Sequence, residues 1–251
     1  MEEFIIVEKL RKSFDGHVVL DGISFSVSYG KDLLVIGRSG VGKSVLLKNI
    51  VRLLEPDNGR IIVNGVEVTS LKGDELREFR KSVGFLFQSG ALFDFLNVED
   101  NILFVLENVA GITGERARRR VKEVLEMVGL PNVLYKMPSE LSGGMRKRVA
   151  LARTISVSPK ILLLDEPTTG LDPITSDYVI SAIIDMKSYL NIPMIVVTHD
   201  IEVMKKIGGH VILLDEGKIV FEGEFEDMIN EGNEHTKQFL LGSSNGPIKV
   251  I

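Results

Sequence analysis

Residues Gly37-Arg38-Ser39-Gly40-Val41-Gly42-Lys43-Ser44 fill the pattern G-x-x-x-x-G-K-[ST] at every position. No other stretch constrains the fold as tightly. The apolar run Leu33–Ile36 precedes it, and a helical stretch beginning at Val45 and running to Leu54 follows. A strand, a glycine-rich loop and a helix in that order form a cradle for phosphate groups. The glycines let backbone N–H groups turn inward, and the helix N-terminus adds its dipole. Lys43 then reaches the β- and γ-phosphates of a nucleotide, and the Ser44 hydroxyl is placed to ligate Mg2+. The bland alternative is a glycine-rich turn with an exposed lysine; the flanking strand and helix argue against it.

The rest of the chain sets bounds. Its 251 residues are enough for one sizeable α/β core with a smaller subdomain. Net charge is −5, from 30 basic and 35 acidic residues, so no nucleic-acid partner is expected. There are no cysteines, which excludes disulfides and thiolate zinc sites and is compatible with a reducing compartment. The first residues, MEEFIIVEKLRKSF, do not read as a signal peptide. No apolar run approaches the roughly 18–20 residues of a spanning helix. If the protein serves a membrane, another chain is expected to do the spanning.

Short runs rich in Val, Ile and Phe predict strands at Phe4–Val7, Val18–Leu20, Ile23–Val27, Leu33–Ile36 and Ile61–Val63. Pro56-Asp57-Asn58-Gly59 and Asn64-Gly65 read as turns on either side of the last. From Val98 to about Val157 the apolar residues recur at helical spacing, as in Val121, Val124, Leu125 and Val128. A helix opening at Gly114-Glu115 and closing at Gly129 is expected there. The last third returns to alternation: strands Ile161–Leu164, Met194–Val197 and Val211–Leu214, with a helix from Pro173 to Tyr189. Wholly apolar strands alternating with helices predict a parallel sheet buried on both faces. The C-terminal stretch from Gly242 to Ile251 reads as an extended loop.

Two further motifs carry chemistry. Ile161-Leu162-Leu163-Leu164-Asp165-Glu166 is a buried strand delivering two carboxylates at its C-terminal edge, where α/β sheets bind ligands. Asp165 would hold Mg2+ and Glu166 would polarise an attacking water. Alone, this run would read as a strand ending in a solvated acidic turn. Leu141-Ser142-Gly143-Gly144-Met145 opens a helical stretch, Arg146–Ile155, with Ser142 as N-cap and the glycines exposing backbone N–H groups. It is a second phosphate-binding helix end on one chain, which points to a nucleotide held by another copy. Taken in isolation it is only a Ser-capped helix.

In this order, phosphate loop, LSGGM and ILLLDE resemble the ABC (ATP-binding-cassette) ATPase family over roughly residues 4–223. The resemblance implies a P-loop NTPase (RecA-like) α/β core with an N-terminal antiparallel β subdomain and an inserted α-helical subdomain. It implies one ATPase domain over 1–251, with the helical part at about 90–157 and a C-terminal helix and tail at about 224–251. ATP would be held by Phe14, stacked on adenine, by Gly37 through Val45, and by Gln88. Ser44, Gln88 and Asp165 would ligate Mg2+. Glu166, His199 and Lys43 would be catalytic, with His199 contacting the γ-phosphate. Ser142, Gly143, Gly144 and Asp172 would act in trans on the ATP of a second copy. Each has a plainer alternative: Phe14 a core or edge aromatic, Gln88 a solvated loop residue, Asp172 only the N-cap of the helix at Pro173, His199 a structural histidine.

Phe87-Gln88-Ser89-Gly90-Ala91-Leu92-Phe93 with Asn97-Val98-Glu99-Asp100-Asn101-Ile102 resembles the Mla-type subfamily of phospholipid-trafficking ATPases. Met137-Pro138-Ser139-Glu140, and Gln238-Phe239-Leu240 leading into Asn245-Gly246-Pro247, fit the same group. That resemblance implies partners: a second copy in an ATP-sandwich dimer, an integral membrane permease, and an MCE-type lipid-binding protein. It implies a cytoplasmic protein, peripheral on the inner face of the cell membrane through the permease. Ala91, Leu92, Phe93, Phe95 and Leu96 form an apolar patch that reads either as a groove for a permease helix or as plain core. The basic run Arg116, Arg118, Arg119, Arg120 and Lys122 reads as a solvated helix face before it reads as a lipid contact. A transporter for another substrate, or a non-transport ABC ATPase of DNA repair or translation, stay open; the single cassette and the absence of a heptad run disfavour the latter.

Overall fold

A computed structural model describes residues 3–249. In chain order the elements are β1 (Glu3–Phe14), β2 (His17–Ser28), β3 (Leu33–Ile36), α1 (Lys43–Ile50), β4 (Asn58–Val63), β5 (Val66–Glu67), α2 (Gly73–Lys81) and β6 (Val83–Leu86). Then follow α3 (Val98–Asn108), α4 (Gly114–Met127), α5 (Gly143–Ser156), β7 (Ile161–Asp165), α6 (Pro173–Leu190) and β8 (Met194–Thr198). The chain ends with α7 (Ile201–Ile207), β9 (His210–Asp215), β10 (Lys218–Glu224), α8 (Phe225–Asn230) and α9 (Glu234–Leu241). Packing divides it into two units, residues 1–77 with 193–251, and residues 78–192.

The first unit carries an antiparallel sheet in the order β2-β1-β4-β5. Its strands run longer than the apolar patches alone predict. Val18–Leu20 and Ile23–Val27 belong to one strand, because the polar break between them is absorbed as a bulge. Leu10 pairs with Ile23 and Arg11 with Asp21, which leaves Gly22 without a partner in the ladder. Asn64-Gly65 makes the expected tight turn: both residues have positive φ, 51° and 74°, and Val63 pairs directly with Val66. The same unit holds β3 between two parallel neighbours, β8 and β9, with β10 antiparallel to β9. All residues of β3 and β8 are buried, as uninterrupted apolar strands covered on both faces require.

Helix α1 begins two residues before the expected start and stops at Ile50. Arg52 explains the early stop: its backbone turns left-handed, and its Nη1 donates to the carbonyls of Val68, Thr69 and Leu71 at 3.1, 2.9 and 2.9 Å. The C-terminal stretch differs from the expected extended loop. Residues 243–249 double back on α9, where the Ile248 N–H donates to Gln238 Oε1 at 2.7 Å. Val250 and Ile251 lie outside the described residues.

In the second unit β6 and β7 pair in parallel, Val83 with Ile161 through Leu86 with Leu164. Helices α3, α4 and α5 pack on one another, and α6 packs on α5. Ala117, Val121, Val124 and Leu125 form the buried stripe of α4, as the spacing predicts. Within the basic run only Arg120 turns inward, donating to the terminal carbonyls of α5, Ser156 O at 3.0 Å and Ile155 O at 3.2 Å. Arg116, Arg118, Arg119 and Lys122 face solvent. Among the described residues no helix is long and apolar enough to cross a membrane.

Asp57 ties the end of β1 to the approach to β4. Its carboxylate accepts from Lys12 Nζ at 2.8 Å and from the Ser13 N–H and Oγ at 2.6 and 2.5 Å. These bonds, led by the Lys12 ammonium, lower its pKa from 3.8 to about 2. A carboxylate lowered on folding contributes stability that is full above the unfolded value and lost as pH falls through the folded one. The stability difference between wild type and Asp57→Asn in urea unfolding is therefore expected to be constant above pH 5 and to shrink from pH 4 to pH 2. A difference that does not vary with pH would contradict this.

Candidate functional site

In the first unit, strand register places the loop. Ile36 at the end of β3 lies opposite Thr198 of β8 and Leu213 of β9, so Gly37 and His199 each leave the sheet one residue later, at the same edge. This is the carboxyl edge of the parallel strands, where such sheets present ligand-binding loops. Gly37 is obligatory by contact: a Cβ there would lie 2.5 Å from the Leu214 carbonyl oxygen. The buried Lys43 points its ammonium into the curl of the loop, donating to Gly37 O at 2.8 Å and Arg38 O at 3.0 Å. Arg38 is held from behind, its Nε 3.7 Å from Oδ1 of the buried Asp215. Ser39 and Gly40 are exposed, Val41 and Gly42 are buried, and Ser44 and Val45 are half-buried in the first turn of α1. Gly42 is the N-cap of α1 and offers no side chain, so the leading N–H groups of the helix have no side-chain cap. An uncapped helix start wrapped by a loop is a ready anion site.

His199 is exposed. Phe14, at the end of β1, is 41% exposed with the Lys12 ammonium 5.3 Å from its ring centroid. Phe14 is therefore not core.

In the second unit the same device recurs. Leu86 lies opposite Leu164, so Gln88 and Glu166 stand two residues beyond paired positions. Asp165 and Glu166 are 3% and 6% exposed. Glu166 has φ 49°, a left-handed conformation that costs a non-glycine residue on the order of 1 kcal/mol or more and clusters at functional sites. Thr169 Oγ1 donates to its Oε2 at 3.1 Å.

Lys147 is the residue that sequence reasoning passed over. It is 8% exposed, and its Nζ donates to the carbonyls of both Gln88 and Glu166. Burial lowers its pKa, and the carboxylates of Asp165 and Glu166 oppose that shift. One ammonium thus fastens the exits of two adjacent strands. The signal was present: Gly144, Lys147 and Leu151 share the buried face of α5, and a lysine on a buried stripe needs partners.

Ser142 caps α5 as expected, its Oγ accepting from the Met145 N–H at 3.3 Å. Asp172 caps α6, accepting from the Thr175 N–H at 3.0 Å and Thr175 Oγ1 at 2.6 Å, bonds that lower its pKa. The two helix starts touch. A Cβ on Gly143 would stand 3.1 Å from Leu171 Cδ2, and one on Gly144 would overlap Thr175 Cγ2. Ser142, Gly143, Gly144 and Asp172 are thus gathered on one side of the second unit.

The loop after Gln88 is surface, not core: Phe95 is 77% exposed. It is rigidly held all the same. Buried Asn101 donates to the carbonyls of Phe93, Leu96 and Asn97 at 3.1, 2.9 and 3.0 Å and accepts from the Phe93 N–H at 2.8 Å. Arg153 donates to the carbonyls of Ala91 and Gly90 at 2.8 and 3.0 Å. Phe93 packs edge-on against Phe104, centroids 4.9 Å apart.

The chain is similar to several known proteins. The family model described as ABC transporter matches residues 20–169. The intermembrane phospholipid transport system ATP-binding protein MlaF of Haemophilus influenzae is 38% identical over 248 residues, 99% of this chain and 94% of that protein. The methionine import ATP-binding protein MetN of Carboxydothermus hydrogenoformans is also 38% identical, over 240 residues, 94% of this chain and 71% of that protein. An ATP-binding cassette solved as a dimer in a post-hydrolysis state, bound to ADP and Pi, matches with a TM-score of 0.79 at 28% identity, over 88% of this chain and 98% of that one.

The contact between the two helix starts is testable through stability. Gly144→Ala forces Thr175 aside and is expected to destabilise the protein by about 1–3 kcal/mol, the usual cost of overpacking. Adding Thr175→Ser removes the opposing methyl and keeps the hydroxyl on Asp172, so the double variant is expected to recover most of the loss. Equal unfolding midpoints for wild type and Gly144→Ala would show that the contact is absent.

Proposed function

This chain belongs to the ABC transporter family, has the P-loop NTPase fold and hydrolyses ATP, and we propose that it drives phospholipid movement between membranes as the nucleotide-binding subunit of an Mla-type system. The observation that carries the cargo reading is the match to the phospholipid transport relative over 99% of the chain. The methionine import relative, at the same 38% identity, favours a second reading in which a similar cassette serves import of a small molecule.

In the proposed mechanism Phe14 stacks on adenine and residues 37–45 wrap the phosphates. Lys43 is within the curl of the loop, so a small rotation of its chain exchanges two carbonyls for phosphate oxygens. Glu166 acts as general base toward the attacking water, and His199 donates to the γ-phosphate. Gln88 and the aromatic loop that follows it meet a membrane permease. The second copy contributes Ser142, Gly143, Gly144 and Asp172 to each nucleotide; the dimeric, ADP-bound relative supports that arrangement. An MCE-type lipid-binding protein completes the proposed assembly, held through the permease at the inner face of the cell membrane.

The donor set fits magnesium. Ser44, Gln88 and Asp165 offer only hard oxygen ligands, and no cluster of three or more His, Cys, Asp or Glu side chains that could hold a metal exists among the described residues. A cation held by few protein oxygens and completed by phosphate and water is the pattern of Mg2+. When bound, the ion neutralises phosphate charge.

Glu166→Gln is expected to lower kcat for ATP hydrolysis about 10²–10⁴-fold while ATP binding is retained. Turnover near wild type would remove Glu166 from the general-base role. The cargo is tested by purifying the chain with its membrane partners and analysing the extract by mass spectrometry. Phospholipid enriched over the bulk membrane is expected; a complex that carries no lipid and binds methionine would favour the second reading.

A further inference from the structure

The C-terminal tail is the sequence motif that the nucleotide site does not use, and it is tied down by a single buried side chain. Gln238 on α9 is 6% exposed. Its Nε2 donates to Ile248 O at 2.9 Å and Ser243 O at 3.2 Å, and its Oε1 accepts from the Ile248 N–H at 2.7 Å. One carboxamide therefore satisfies three backbone groups of a segment that forms no helix or strand of its own. Gly246 lies flat against that carboxamide: its φ is 152°, and a Cβ there would overlap Gln238 Cδ and Oε1. The Ile248 side chain is buried by the same fold-back.

The strap so formed has a position. Ser243 and Ile248 line a cavity of about 410 Å3 that Arg38, Ser39 and His199 also line. The strap thus shares a cavity with the start of the phosphate loop and the histidine at the strand edge, all within one unit.

We propose that Gln238 is a positioning residue for ATP hydrolysis. By clipping the strap it fixes a wall of the cavity that His199 and Arg38 also line, so that this space keeps its shape when His199 meets the terminal phosphate. This rests on the proposed role of His199. Two substitutions undo the clip from opposite sides. Gln238→Glu keeps the shape but sets a carboxylate oxygen against the carbonyls of Ser243 and Ile248. Gly246→Ala pushes the carboxamide off the strap and leaves Gln238 in place.

The test measures steady-state ATPase kinetics, ATP affinity and hydrogen exchange at the Ile248 amide in the full-length chain. Wild type is expected to protect that amide, and both variants to lose the protection. In both, kcat is expected to fall about three- to tenfold, a barrier change on the scale of one hydrogen bond, with ATP affinity little altered. A variant that fails to fold leaves the other to decide. Loss of protection with unchanged kcat would overturn the proposal, as would an Ile248 amide that exchanges freely in wild type. His199→Ala is measured alongside. If it abolishes turnover and the clip variants do not reduce it, the clip fails and the role of His199 stands. If His199→Ala turns over normally, the histidine reading fails, and the clip's route to catalysis with it.

Discussion

The parallel pairing of β3 with β8 and β9 is the constraint on which the first unit depends. Four buried residues, Leu33–Ile36, are in register with Ile195–Thr198 on one side and His210–Leu213 on the other. That register decides that Gly37 and His199 leave the sheet at the same edge, and it brings Gly37 so close to Leu214 that no larger residue fits. A slip of one position would turn every side chain of a strand to the opposite face and carry the loop away from the histidine. Burial on both faces prevents the slip, since all the residues of β3 and β8 are enclosed. The site is thus an outcome of how apolar strands pack, before any polar group is considered.

The second unit reaches a similar end by adding a buried cation. Parallel β6 and β7 bring Gln88 and Glu166 to matching exits, but strand pairing stops at Leu86 and Leu164. Beyond that point Lys147 takes over, bonding to both carbonyls from α5. A buried ammonium is costly unless it is paired and hydrogen-bonded. Here the two carbonyls and the nearby carboxylates of Asp165 and Glu166 offset that cost. The left-handed backbone of Glu166 is strain of the kind that persists only where surrounding contacts over-determine it.

What the sequence made legible follows from range. The phosphate loop, the wholly apolar strands, the Ser142 and Asp172 caps and the Asn64-Gly65 turn are all local patterns, and each formed where its residues predict. Boundaries failed where a distant group intervened. Helix α1 stops early because Arg52 bonds to carbonyls 16 to 19 residues ahead. The two short strands at 18–27 are one because β1 pairs across the Gly22 bulge. Lys147 reaches Gln88 across 59 residues. Such side-chain-to-backbone bonds leave no periodicity to read. Asn101 and Gln238 belong to the same class: each is a buried amide serving a loop, and each sits in a motif that resemblance could mark but local pattern could not explain.

These amides also explain how the chain can expose aromatic surface without losing order. The loop after Gln88 presents Phe95 to solvent, yet Asn101 and Arg153 bond to the backbone from Gly90 to Asn97. A free loop of that length would lose conformational entropy on meeting a partner, at about 1–2 kcal/mol for each residue fixed. A loop already held by a dense set of bonds has met that cost in folding. Its exposed rings can then act as a preformed surface, and its backbone connects within three residues to Gln88, whose carbonyl Lys147 ties to that of Glu166. Lys147 thus joins the exit of this loop to that of Glu166 through one buried ammonium.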